Sequence, residues 1–292
     1  MTDATMQPKR TAGRRLRRTP HPLSFPAIAH FAALLLLAAA LCANTAFAQI
    51  KPGLDVPYVP TPQNVVERML QIADVKAGEF VIDLGCGDGR MVVTAASQFG
   101  ARALGVDIDP VRIREANGNA ARARVTDKVE FRIGDLFDVD ISGADVLALY
   151  LLNEINLRLR PKILETMRPG ARVVSHAFDM GEWQPDERET IGGRKLYLWI
   201  VPARVAGRWH IEQGERRMEV TFRQNFQALS GTATIDGQAV PLYEGRVNGT
   251  EIHFVIGAPP GGAQSFRGRI DGDRIEALDT DALPWQATRG AP

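Results

Sequence analysis

The spacing of apolar residues changes character near residue 205. Before that point, helical stripes alternate with short apolar runs. Val65, Val66, Met69, Leu70 and Ile72 follow an i, i+3, i+4 pattern and predict a helix, with Thr61 placed to cap it and Pro62 at its first position. The run Val81-Ile82-Asp83-Leu84 ends a strand, and Met91 to Phe99 leaves as a helix. Arg102 to Asp107 reads as a strand, Val111 to Ala123 as a helix begun by Pro110, and Val129 to Asp135 as a strand. Asp145 to Leu151 is nearly all apolar, as suits a strand buried on both faces. Leu157 to Met167 reads as a helix that Pro161 either breaks or begins. Strands at Ala171 to Phe178 and Lys195 to Val201 follow. Alternation of this kind implies a doubly wound, mostly parallel α/β sheet.

After residue 205 no long helical stripe remains. Asp236-Gly237, Asn248-Gly249 and Asp271-Gly272 sit between alternating segments such as Glu251 to Ile256, and each is a strong hairpin signal. Residues 205–292 therefore read as an antiparallel β-rich domain, a small sheet or an open barrel, with Pro259-Pro260-Gly261-Gly262 as a loop. The first 48 residues have another pattern. Six basic residues between Lys9 and Arg18 precede an apolar run, Phe31 to Ala43, and then Ala46-Phe47-Ala48-Gln49. That is the layout of a signal peptide cleaved after Ala48, and the apolar run is short for a membrane span. The expected organisation is a signal at 1–48, an α/β domain at 49–204 and the β-rich domain at 205–292, exported to the periplasm.

Composition adds little to the fold but narrows the partners. Without the signal, 29 basic residues face 33 acidic ones. A mildly acidic body argues against holding nucleic acid by its phosphates. Cys86 would be the only cysteine of the mature chain, so no intramolecular disulfide is expected, and it reads as a small filler of its turn. No His, Cys and Asp cluster has metal-ligand spacing.

The candidate chemistry begins at Asp83-Leu84-Gly85-Cys86-Gly87-Asp88-Gly89-Arg90. A tight glycine turn between a strand and a helix lets a ligand approach the backbone and the helix N-terminus. The dinucleotide fingerprint asks for a third glycine where Arg90 stands, which disfavours NAD without excluding it. The pattern instead resembles motif I of the class I S-adenosylmethionine (SAM) methyltransferases. That resemblance implies a Rossmann-like methyltransferase sheet, with Gly85 and Gly87 passing the methionine part of SAM and Asp83 ordering the loop. Asp107, with Ile108 beside it, ends the second strand, where a carboxylate suits the two ribose hydroxyls. In the family an acid at the end of the third strand accepts from the adenine amino group, a role that falls to Asp135 beside Leu136.

Ligands of open α/β sheets sit outside the carboxyl ends of the strands. Tyr150, Asn153 and Glu154 follow the fourth strand, and His176 and Asp179 follow the fifth, so Tyr150, Asn153, His176 and Asp179 are the catalytic candidates. Each also has a plain reading as packing or loop polarity. A closer likeness is carried by Tyr58-Val59-Pro60-Thr61-Pro62, Gly134-Asp135-Leu136-Phe137, Leu149-Tyr150-Leu151-Leu152, Leu157 to Lys162 and Ser175-His176-Ala177-Phe178-Asp179-Met180. Over residues 55–203 the chain is similar to the small lysine methyltransferases of the ATP synthase c subunit and their bacterial relatives. The resemblance implies methyl transfer from SAM to a lysine amine of a protein. The alternative is an exported, non-catalytic binding module on a methyltransferase scaffold. The arm around Tyr58 is expected across the carboxyl edge of the sheet, as a strap or as a lid.

Overall fold

The computed structural model describes residues 58–257, 262–278 and 283–291. The signal reading of residues 1–48, the prolines before Tyr58 and most of the Pro259 to Gly262 loop lie outside them. Helix α1 (Gln63–Ile72) buries all five residues of its predicted stripe. Thr61 does not cap it. Pro62 takes the cap position in an extended conformation, its carbonyl accepts from the Val65 and Val66 amides, and the Thr61 hydroxyl turns to His176.

The sheet follows as β1 (Phe80–Leu84), α2 (Arg90–Phe99), β2 (Arg102–Asp107), α3 (Pro110–Ala123), β3 (Val129–Ile133), β4 (Val146–Leu149), α4 (Asn153–Thr166) and β5 (Arg172–His176). A hairpin of β6 (Glu187–Ile191) and β7 (Arg194–Ile200) completes it. The order is β3-β2-β1-β4-β5-β7-β6, with β1 to β5 parallel and β7 antiparallel to both of its neighbours. The strand order reverses between β1 and β4, which opens a crevice at their carboxyl ends. β4 is buried at every position, as its apolar run requires. Helix α4 departs from expectation. It runs through Pro161 and begins at Asn153, so Asn153 and Glu154 are helical rather than loop residues. Buried Ile155, Leu159 and Ile163 hold the helix on the sheet despite the amide that proline lacks.

The β-rich part is a closed barrel, β8 (Gly207–Gln213), β9 (Arg216–Asn225), β10 (Ala228–Ile235), β11 (Gln238–Asn248), β12 (Glu251–Ile256), β13 (Gln264–Asp271), β14 (Arg274–Ala277) and β15 (Trp285–Arg289). It is closed by pairing of β15 with β8, not open. Inward positions alternate with exposed ones, as β8 and β13 make plain. Phe222, Phe254, Phe266 and Trp285 pack at centroid distances of 5.0 to 5.9 Å, Phe254 and Phe266 stacked and the other pairs edge to face, and fill the interior. The barrel is thus a packed core rather than a ligand cup.

Candidate active site

The glycine turn is built by close approach. Gly85 and Cys86 donate their amides to the Val106 carbonyl, which ties the turn to β2. Gly85, Gly87 and Gly89 all have positive φ, and Gly89 starts α2. A Cβ on Gly87 would stand 2.5 Å from the Tyr58 ring, and one on Gly89 would stand 2.7 Å from both Ala116 and the Phe131 ring. Gly89→Ala combines a left-handed backbone with a collision of the new Cβ against Ala116 of α3 and Phe131 of β3. We expect a loss of roughly 2–5 kcal/mol of stability, read as a lowered denaturant midpoint. An unchanged midpoint would show that the turn relaxes freely.

The carboxylate that holds this turn is Asp107, not Asp83. One Asp107 oxygen accepts from the Gly87 amide at 2.8 Å and the other from the Asp109 amide at 2.9 Å. Asp83 lies buried beneath, and burial, with Asp107 and Asp88 nearby, pushes its carboxyl group up to about 8. Asp88 is half-buried. Burial alone would raise it, but the paired guanidinium of Arg90 holds it below the ordinary value. Arg90 also donates to the Thr61 carbonyl at 2.7 Å, so it pins the Tyr58 arm to the turn. Arg112 lies over the Tyr58 ring, 4.4 Å from its centroid. The arm therefore crosses the carboxyl edge as expected.

A cavity of ≈ 230 Å³ runs from this turn between the two halves of the sheet. Its lining brings together the expected Asp83, Gly85, Gly87, Asp107, Ile108, Asp135 and Leu136, with Tyr150 at the far end. Asp135 also accepts from the Phe137 amide at 2.8 Å. Five aspartates (Asp83, Asp88, Asp107, Asp109 and Asp135) and two arginines (Arg90 and Arg112) line the space. Even with Asp83 protonated, four carboxylates face two guanidinium groups, which suits a cationic ligand with hydroxyl and amino donors and opposes a pyrophosphate. The donor set, the glycine cradle and the helix N-terminus of α2 together fit SAM.

At the Tyr150 end the candidates separate. Tyr150 and Phe178 line the cavity, their rings 6.3 Å apart. His176 lies behind Tyr150 with ring centroids 3.9 Å apart, and its Nδ1 is 3.2 Å from the Thr61 hydroxyl. Burial, with Arg194 adding to it, lowers His176 to about 4, so the ring is neutral at ordinary pH. Asn153 and Asp179 bond each other at 3.0 Å beside the cavity rather than along its lining. A further residue of the site, absent from the sequence-based candidates, is Asn156, which is fully buried and donates toward the Ser175 hydroxyl and the Phe178 and Asp179 carbonyls. A polar residue among the apolar positions of α4 was its only signal. Arg90, read from sequence as a missing glycine, is a structural tie.

Comparison with known proteins agrees with this geometry. Residues 83–187 match the family model described as the ANTKMT methyltransferase domain. A protein-lysine N-methyltransferase of Saccharolobus islandicus is 49% identical over 151 residues, covering 50% of this chain and 94% of that protein. The adenine nucleotide translocase lysine N-methyltransferase of Mus musculus is 34% identical over half of the chain, which spans 63% of the mouse protein's length. A solved structure, an RNA methyltransferase from Salinibacter ruber in complex with S-adenosyl-L-homocysteine, is 50% identical with a TM-score of 0.50. That match covers 50% of this chain and 96% of the other. Because it covers nearly the whole of a protein-lysine N-methyltransferase at 49% identity, the chain belongs to the protein-lysine methyltransferase family of class I SAM-dependent methyltransferases.

Proposed function

We propose that the protein N-methylates a lysine amine of a protein substrate. The observation that carries this reading is the 49% identity to a protein-lysine N-methyltransferase along nearly its whole length. Bound SAM supplies an activated methyl group on a sulfonium. The residues of this chain are left to hold, align and dry. Asp107 and Asp135 are the acceptors for ribose and adenine donors, and the Gly85 to Gly89 turn makes room for the methionine part. Tyr150 and Phe178 form an aromatic wall at the other end, where a lysine stem can pass and its amine can lose water. The amine must be neutral to attack, and a dry aromatic wall favours the neutral form. In this reading His176 positions Tyr150 and the Thr61 arm, since its Nδ1 already faces that hydroxyl. We also place the mature chain in the periplasm, beginning at Gln49; recovery of an intact Met1 from the cytosol would count against that.

The test uses tritiated SAM with polylysine and with whole-cell extract, followed by hydrolysis. We expect label in Nε-methyllysine. The Salinibacter ruber relative is described as an RNA methyltransferase, and nuclease-sensitive label would replace the protein reading with that one. Retained binding of S-adenosylhomocysteine with no label in any fraction would favour the non-catalytic module.

A further inference from the structure

The acceptor-side wall stands on an unusual piece of backbone. Ala177 has φ 67, and the Phe178 amide donates to the His176 carbonyl at 2.8 Å, a γ-turn around a non-glycine residue. Such turns are rare and strained, and they persist where their surroundings hold them. From the α/β side the holders are Ser175, which donates to the Phe178 carbonyl at 2.7 Å, with Asn156 and Asn153. Arg160 donates to the Met180 carbonyl at 2.8 Å. Met180 and Trp183 bridge to each other, and both are fully buried.

The barrel grips the same segment from the other side. The β9–β10 hairpin turns through Phe226-Gln227, between the paired Asn225 and Ala228. A two-residue hairpin loop favours Gly, Asn or Asp at positive φ, yet Phe226 sits there at φ 54. Its ring leaves the barrel and packs with the core of the α/β sheet. It stacks on Trp183 at 6.1 Å and 16°, under the Arg160 guanidinium at 5.3 Å. Gln227 donates to the Gln184 carbonyl at 2.5 Å, and Arg246 pairs with Asp186. Three barrel side chains thus converge on residues 183–186, directly after the wall.

We propose that Phe226, assisted by Gln227 and Arg246, is a positioning residue for methyl transfer, through which the barrel clamps residues 180–186 and so fixes Phe178 and Asp179 at the acceptor end. The backbone preference at position 226 opposes phenylalanine, and the docked ring offsets it. This inference rests on methyl transfer in the pocket and not on lysine as the acceptor.

The test compares Phe226→Ala, Phe226→Gly and Phe226→Tyr in the full chain. The glycine variant removes the ring while easing the turn, so the hairpin forms. We expect amide hydrogen exchange of residues 178–186 to quicken about tenfold without the ring, or about 1.4 kcal/mol. Exchange of the Leu84 to Arg90 turn and affinity for S-adenosylhomocysteine should stay within about twofold, while the rate of labelling polylysine falls about tenfold. The tyrosine variant should restore both the exchange and the rate. Unchanged exchange at 178–186, or a fall in S-adenosylhomocysteine affinity matching the loss of rate, would overturn the proposal. If the wild type labels no polylysine, the lysine reading alone fails; the exchange and binding results still decide the clamp.

Discussion

Asp107→Ala lowers the affinity for SAM roughly tenfold to a hundredfold, the loss of 1.5–3 kcal/mol expected when one charged hydrogen-bonding partner goes. Two effects add in the same direction. The Asp107 carboxylate stitches the ends of β1 and β2 together through the Gly87 and Asp109 amides. Alanine leaves both amides without that partner, so the glycine turn loosens before any ligand arrives. It also removes the acceptor assigned to the ribose hydroxyls. Asp107→Asn separates the effects, because it keeps one carbonyl oxygen for a backbone amide and loses the charge. Titration calorimetry should rank wild type above Asn and Asn above Ala. Equal affinities for wild type and Ala would remove Asp107 from the cofactor site.

The second large effect is one of pH and belongs to Asp83. Its carboxyl group titrates near 8 in the folded chain against an ordinary value of 3.8, with burial the main cause. The folded chain therefore keeps a proton between about pH 4 and 8 that the unfolded chain releases. Stability from this group is full below about 4, declines as pH rises to 8 and is flat beyond. Asp83→Asn mimics the protonated shape and lacks that decline. Its melting temperature should gain on the wild type steadily from pH 5 to 8 and then run parallel. A cation near a buried carboxyl group favours the charged form. SAM affinity of the wild type should accordingly rise with pH toward 8, with release of a proton, while the Asn variant gives a flat profile. A pH-independent wild-type affinity would mean that Asp83 stays protonated under the bound cofactor or lies too far from its charge.

Local patterns were legible where local physics sets them. The α1 stripe, the buried run of β4 and the glycine turn need only period, apolarity and the freedom of glycine, and the structure has all three. The Gly192-Gly193 turn was also available, but β6 was missed because Glu187 to Ile191 is a polar edge strand with little apolar alternation. The start of α4 was misplaced for a related reason. Asn153 to Asn156 carries little apolar stripe, and the helix is held there by Ile155 and by the Asn153 and Asn156 bonds to the next strand's exit.

By itself, the sequence determined the layered α/β half, the hairpins of the β-rich half, and that Asp83, Asp107 and Asp135 gather at the carboxyl edge, where they line the cavity. Those follow from periods, turn residues and a short motif, all encoded within a few neighbouring positions. Only the tertiary structure decided that Asp107 rather than Asp83 holds the turn, that His176 is spent on Thr61 and Tyr150, and that Asn153 and Asp179 satisfy each other. It also decided that β15 closes onto β8, 72 positions away at the Trp285 to Gln213 pair, and that Phe226 leaves its own barrel for the neighbouring core. Each of these depends on which distant groups share one buried space, and burial drives most polar groups there to partners that no local pattern names, with Asn156 Oδ1 and Trp183 Nε1 left as exceptions among the described residues.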